Sequence, residues 1–310
     1  MFARVLFCVL SLPLLLPLAA AGAAEPLSAI NVATEKVVDG IYMLSARGGN
    51  IGAVVGADGI FLIDDQFAPL TPKIRAALDK LPGAAGKPVR FVLNTHFHYD
   101  HTGGNENMGK AGAVIVAHDN VRARMSTDDF RKEFLATGGN DVQAALPVVT
   151  FNDRVTFHLD GHTLETRHYP HAHTDGDSVV WFRESNAVHM GDLYFQLGYP
   201  FIDMARGGSV TGLIHAVNDV LARADEKTLV IPGHGKLSNK AELNEYRDML
   251  VGLRDKVAAQ IKAGRTLEQV KAMKLTSAFD ERWNWDFISG ERFIETLFDD
   301  LSKGHTHKEH

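Results

Sequence analysis

The chain has 310 residues, 45% of them apolar and 23% charged, which are the proportions of an ordinary globular protein with enough apolar surface for a sizeable core. Its net charge of −6 argues against a nucleic-acid partner, because such binders usually present a basic face.

The first two dozen residues read as a targeting segment. Arg4 is the only charge before Glu25, Val5 to Leu18 are mostly apolar, and Ala21-Gly22-Ala23 closes the stretch with small residues. This is the pattern of a secretory signal cut after Ala23, which leaves 24–310 as one mature domain with C-terminal helices. A membrane anchor is the competing reading, but the stretch is short and Pro13 and Pro17 interrupt it. Cys8 lies early in the apolar stretch and not at the cleavage point, against a lipoprotein. Cys8 is also the only cysteine, so cleavage leaves no disulfide, and any metal site must use His, Asp or Glu. The expected product is periplasmic or secreted, without stable membrane insertion.

Strands separated by Gly or Asp turns are expected at 40–44, 51–55 and 60–63. Ile74, Ala77, Leu78 and Leu81 recur at helical spacing, with Pro72 near the start and Pro82 just past the end, so a helix is expected over 71–81. A strand at 89–93 leads into a His cluster, followed by a strand at 113–117 and a short helix at 119–125. Residues 127–147 are polar and contain Gly138-Gly139-Asn140; they read either as a flap over a site or as a surface excursion. Strands at 155–159, 163–169, 178–182 and 187–190 follow, then a helix at 210–223. A strand at 228–231 ends in Pro232-Gly233-His234-Gly235, and amphipathic helices occupy 240–263 and 291–301. Trp283 and Trp285 read as packing for these last helices or as a groove lining. The order suggests two sheets packed face to face with helices outside.

The strongest signal is Thr95-His96-Phe97-His98-Tyr99-Asp100-His101-Thr102-Gly103-Gly104. His96 and His98, two apart on an extended segment, can reach one ion, while Asp100 and His101 turn the other way and can reach a second. Imidazole nitrogens and a carboxylate oxygen suit zinc, and two such sets suit two zinc ions. Gly103 and Gly104 are expected to let the backbone turn tightly before the next helix. Three further candidates, His173, Asp192 and His234, each follow a predicted strand, where a rigid scaffold presents ligands.

The H-x-H-x-D-H run with a later His, Asp and His resembles the metallo-β-lactamase superfamily, from about Val37 to His234. The resemblance implies a four-layer αββα sandwich with its site at one edge of the two sheets. It implies that His96, His98 and His173 hold the first zinc, that Asp100, His101 and His234 hold the second, and that Asp192 bridges or caps the pair. The Thr or Ser that follows the ligand in the family favours His173-Thr174 over His171-Ala172. An Asp at position 64 commonly supports the metal site by hydrogen bonding in this family; a turn-forming Asp is the alternative. His189 is expected to point into the core, and His118, His158, His162, His168 and His215 to be ordinary surface or hydrogen-bonded residues. His305, His307 and His310 read as a solvated tail or a weak metal binder.

The family includes β-lactamases, thioesterases of the glyoxalase II type, lactonases, nucleases and oxygen-reactive iron enzymes. Export points away from glyoxalase II and most nucleases, which act inside cells, and towards a β-lactamase, which works in the periplasm; acidity also points away from nucleases, leaving a small-molecule substrate. Asp192 stands where the best-known β-lactamases have a cysteine ligand. Opening of a β-lactam ring by a water activated on two zinc ions is the first expectation, with Asp100 orienting the water and receiving its proton. Thioester or lactone hydrolysis, or an iron-loaded oxygen- or sulfur-handling enzyme, is the alternative. Tyr194 and Phe195 are expected to wall the pocket, with simple core packing as the alternative. Arg206, with nearby backbone N–H groups, is expected to anchor a substrate carboxylate, although the lysine of the cysteine-ligand enzymes is replaced here by Phe195.

Overall fold

A computed structural model describes residues 27–303. The stretch read as a signal, Cys8 and the terminal His305, His307 and His310 lie outside the described residues. No described helix is long and apolar enough to cross a membrane.

Two sheets form the body. The first runs in chain order: β1 (Ala33–Val38), β2 (Ile41–Ser45), β3 (Ile51–Gly56), β4 (Gly59–Ile63), β5 (Val89–Leu93), β6 (Val114–His118) and β7 (Val149–Phe151). Its first four strands pair antiparallel and β4 to β7 pair parallel. The second holds β8 (Arg154–Leu159), β9 (His162–Tyr169), β10 (Asp177–Phe182), β11 (Ala187–His189), β12 (Leu229–Ile231) and β13 (Ser238–Asn239), in the order β13-β12-β11-β10-β9-β8.

Strand periodicity decides which side chains meet. In β4, Phe61 and Ile63 join Val180 and Phe182 of β10 in the core between the sheets. The alternate residues face outwards. Ile60 and Leu62 pack on Ile74 and Leu78 of helix α1 (Thr71–Leu78), and Val179 and Trp181 join a core with helices on the far side. The sheets are thus sandwiched between helices, giving the four expected layers.

Helix α1 stops at Leu78, short of the expected 81, because the backbone tightens there: Lys80 N–H bonds to Ala77 and Leu81 N–H to Leu78. Next come α2 (Tyr99–Thr102), α3 (Asn105–Lys110) and α4 (Asp119–Met125). The polar segment at 127–147 is neither a flap nor a bare excursion. It forms α5 (Asp128–Ala136), capped by Thr127, and α6 (Val142–Ala145), capped by Asp141. Phe130, Phe134, Ala145 and Leu146 share a core with Phe97 and Met125, which fixes the segment behind the His cluster. Helices α7 (Val210–Arg223), α8 (Lys240–Lys262), α9 (Leu267–Ala272), α10 (Asp280–Trp283) and α11 (Gly290–Ser302) complete the chain; Leu213, Val217, Leu250 and Phe293 from three of them cover the second sheet.

Strands β4 and β5 are parallel, so their C-terminal ends share one edge. Strands β9 and β11 both run antiparallel to β10, and β12 runs parallel to β11, so these three also end together. Those ends lead into the segments that carry the candidate ligands.

Candidate metal centre

The loop after β5 is held from below. Asn94 and Asn105 exchange reciprocal amide hydrogen bonds of 3.0 and 2.9 Å, fixing the loop to α3. Gly103 and Gly104 have ordinary negative φ, so a left-handed turn does not explain them. Close approach does: a Cβ on Gly103 would sit 2.7 Å from the Gln66 carbonyl oxygen, and one on Gly104 2.6 Å from that of Asp65.

Two groups of side chains converge. His96, His98, His173 and Asp192 form one, and Asp100, His101 and His234 the other. His171, at a positive φ of 54°, instead bonds to the Gly207 carbonyl and joins neither. His189 is buried and bonds to the Asn50 carbonyl at 3.1 Å, as its place on the strand implied.

The protons on the imidazoles follow from their outer partners. Asp64, fully buried, accepts from Thr95 N–H and Thr95 Oγ1, both at 2.7 Å, and from His101 Nδ1 at 2.8 Å. Thr95 Oγ1 has thereby spent its hydrogen, so at 3.1 Å it must accept from His96 Nδ1. His98 Nε2 donates to Asp203 Oδ2 at 3.0 Å, and His173 Nδ1 donates to the Phe201 carbonyl at 2.8 Å. Each neutral ring then keeps a bare inner nitrogen, Nε2 of His96 and His173 and Nδ1 of His98, and His101 turns its Nε2 inwards in the same way.

Those bare nitrogens face one another. His98 Nδ1 lies 3.1 Å from His96 Nε2 and 2.9 Å from His173 Nε2. Lone pairs at such distances repel unless a cation lies among them. Tetrahedral zinc with Zn–N bonds of about 2.0 Å would set nitrogens roughly 3.3 Å apart, close to this spacing. Asp192 joins the two groups. Its Oδ2 is 3.5 Å from His173 Nε2, while its Oδ1 is 3.1 Å from His101 Nε2 and 3.4 Å from His234 Nε2. That Oδ1 is buried and accepts no hydrogen bond, which leaves its lone pairs for an ion. The donor set therefore fits a metal at each group.

The charge balance differs between them. Burial pushes His96 well below the usual histidine range and His173 down to about 4, so both are neutral, as ligands must be. Burial also opposes charge on His101 and His234, but Asp192 and Asp100 outweigh it, raising His101 well above its ordinary value and His234 to about 9. A cation at the second group would replace those protons.

Two expectations about substrate contacts need correction. Tyr194 is 0% exposed, and its hydroxyl lies 3.0 Å from Ser238 Oγ; it is core. Phe195 is 1% exposed and stacks on the His234 ring at 5.2 Å, so it backs a candidate ligand and lines no open pocket. Arg206 lies 3.7 Å from Asp203 with its side chain 36% exposed. Sequence reasoning missed Asp203, whose partner His98 is 105 residues away and which looks like one more loop carboxylate. It also left Trp285 open between packing and groove lining; the ring is half-buried and lies 6.4 Å from that of His234.

The family model of the "Metallo-beta-lactamase superfamily" matches residues 44–234. A hydroxyacylglutathione hydrolase of Rhodospirillum rubrum is 29% identical over 59% of this chain and 64% of its own length. Another from a Polaromonas species is 29% identical over 53% of this chain and 55% of its own. The chain thus spans between half and two thirds of these curated relatives. A solved metallo-beta-lactamase from Pontibacter korlensis superposes with a TM-score of 0.58 at 19% identity, covering 71% of this chain and 99% of that one.

Proposed function

The chain belongs to the metallo-beta-lactamase superfamily of metal-dependent hydrolases, and from that premise we propose that it cleaves an activated acyl bond, a thioester ahead of a β-lactam, with two zinc ions. The observation that carries this reading is the Asp192 carboxylate, whose two oxygens face the two groups of nitrogens. His96, His98 and His173 would hold one ion, and Asp100, His101 and His234 the other, with Asp192 between them. Bound zinc supplies Lewis acidity and lowers the pKa of water to about 7.

The chain's own residues supply orientation. Asp64, Asp203 and the Phe201 carbonyl fix the tautomers of His101, His98 and His173, so the inner nitrogens are ready before substrate arrives. Asp100 is the more open carboxylate, with its side chain 24% exposed against 5% for Asp192. It can therefore orient an attacking water and take its proton on a carboxylate oxygen.

Two arguments put a thioester first. The curated relatives described above are named as hydroxyacylglutathione hydrolases at 29% identity, whereas the solved β-lactamase, at 19%, shares the fold alone. A thiol with a pKa near 8.5 also departs as thiolate without a proton from the protein, which an amide nitrogen needs. The N-terminal signal pattern supports an exported enzyme, for which a mature N-terminus at Ala24, read by intact mass, is expected.

Purified enzyme should hydrolyse S-acyl thioesters faster than lactones, penicillins, cephalosporins or carbapenems. Chelator should abolish the activity and zinc restore it. Faster turnover of β-lactams would reverse the substrate order, and full activity in metal-free protein would overturn the mechanism.

A further inference from the structure

We propose that Phe201, Trp285 and Phe287 form an apolar wall beside the metal centre that binds a flat, uncharged group of the substrate, such as an aromatic acyl chain. This rests on the hydrolase reading and narrows its substrate class.

Trp285 and Phe287 lie in the connection between α10 and α11, beyond the residues matched by the family model. Their rings continue a chain that starts on the candidate ligands. Phe201 is 5.9 Å from both His98 and His173, Phe287 is 5.6 Å from Phe201, and Trp285 is 5.5 Å from Phe287. Trp285 then reaches Phe195 at 6.1 Å and His234 at 6.4 Å. The wall therefore runs from the first group of nitrogens to the second. Centroid separations of 4.5–7 Å at tilted or edge-on angles are those of attractive aromatic pairs.

The wall is built firmly. Trp285 Nε1 donates to the Tyr199 carbonyl at 2.9 Å, and Gly198 is the residue its indole demands, since a Cβ there would overlap the ring. Arg292 donates to the Phe287 carbonyl at 3.0 Å and stands over its ring. Yet Phe287 is 49% exposed, one of few large apolar side chains so open among the described residues. A fixed, exposed aromatic continuous with a reactive centre is a place for a ligand group to be buried.

The surface the wall offers is made of ring faces and edges, from Phe201 through Phe287 to Trp285. Such a surface is matched by a flat apolar group, with ring stacking supplying the recognition.

The test uses the zinc-loaded protein and two thioesters with the same leaving thiol, one phenylacetyl and one acetyl. Phe287→Ala opens no core, and Trp285→Phe keeps a ring in place. In Phe287→Ala the ratio of kcat/KM for phenylacetyl over acetyl should fall roughly tenfold, carried by KM, with a smaller fall in Trp285→Phe. Phenylacetamide, which the enzyme need not turn over, should saturably quench tryptophan fluorescence, with roughly tenfold weaker binding in Phe287→Ala. An unchanged ratio, or no saturable quenching in the native protein, overturns the wall. Absent thioester turnover with intact, Phe287-dependent phenylacetamide binding would instead sink the thioester reading and leave the wall standing.

Discussion

The Nε2–H of His98 meets a carboxylate that is itself nearly out of water. Burial would raise Asp203, but the hydrogen bond from His98 and the charge of Arg206 outweigh it and hold the carboxyl below its ordinary range. A buried carboxylate on the far side of a ligating imidazole makes its inner nitrogen more basic and fixes its direction, which commonly changes metal affinity by 10–100-fold. Asp203→Asn should therefore weaken zinc binding about tenfold or more, read by competition with a chromophoric chelator. Unchanged affinity would reduce Asp203 to a loop fastener, a role its N–H already plays by bonding to the His173 carbonyl at 2.9 Å. At this scale, legibility followed distance along the chain. His96, His98, Asp100 and His101 are contiguous, so their chemistry could be read directly. Asp203 gains its meaning only from a fold that brings it to His98, and a loop Asp has a common alternative as a turn former. The opposite error occurred at Tyr194 and Phe195. Polar and aromatic residues next to Asp192 look like pocket lining, but the 3-10 turn Gly191–Leu193 carries the chain straight back into the core.

Elements were more legible than their ends, because alternation and helical spacing are local while termination depends on neighbours. Strand β4 shows this: its alternation alone separates Phe61 and Ile63 from Ile60 and Leu62. The segment at 127–147 failed because its helices bury only a narrow stripe, Phe130 and Phe134 in α5 and Ala145 in α6. The rest of it stays polar. Strands β6 and β9 offer a prediction of their own. His118 ends β6 and His168 lies in β9, and the two rings stack at 3.6 Å with 13° between planes. Their outer nitrogens bond to the carbonyls of Asn152 and Asp177. Burial, and then the neighbouring His118, push His168 from 6.5 down to about 4, and burial lowers His118 too. The folded chain thus binds fewer protons here than the unfolded one. The stabilisation is fully present above pH 6.5 and is lost as pH falls towards 4. His168→Gln removes one such group. The urea stability of the native chain should fall from pH 7.5 to 5 by about 1 kcal/mol more than that of the variant, after allowance for the part-exposed ring. Comparing the two cancels Asp177, whose pKa is raised to about 7 by burial and whose contribution runs the other way. Parallel pH profiles would show that the stack titrates like free histidine.

For the whole molecule, the centre lies where the two sheets meet and draws on both. His96, His98, Asp100 and His101 hang from the first sheet, while His173, Asp192 and His234 hang from the second. The loop before β3 already joins the same edge: the Asn50 amide donates to the Pro232 and Gly235 carbonyls at 2.9 and 3.0 Å. Without a cation, the first group gathers bare nitrogens in a dry setting, which costs stability, and the second must hold protons on buried His101 and His234. An ion removes that cost in the folded state only, because the unfolded chain has no preformed site. Zinc at one hundred times its dissociation constant should then add about 2.7 kcal/mol for one site. For a chain of this size that is a Tm rise of several degrees, larger if both groups fill. Calorimetry of zinc-loaded against chelator-treated protein measures it, and Asp192→Ala supplies the contrast. That carboxylate faces both groups, so its loss should remove most of the zinc-dependent rise, whereas Asp100→Ala, which touches only the second group, should remove about half. Equal losses from the two variants would show that the ions act independently of Asp192, and no zinc-dependent rise in the native chain would show that the sheets need no metal to close.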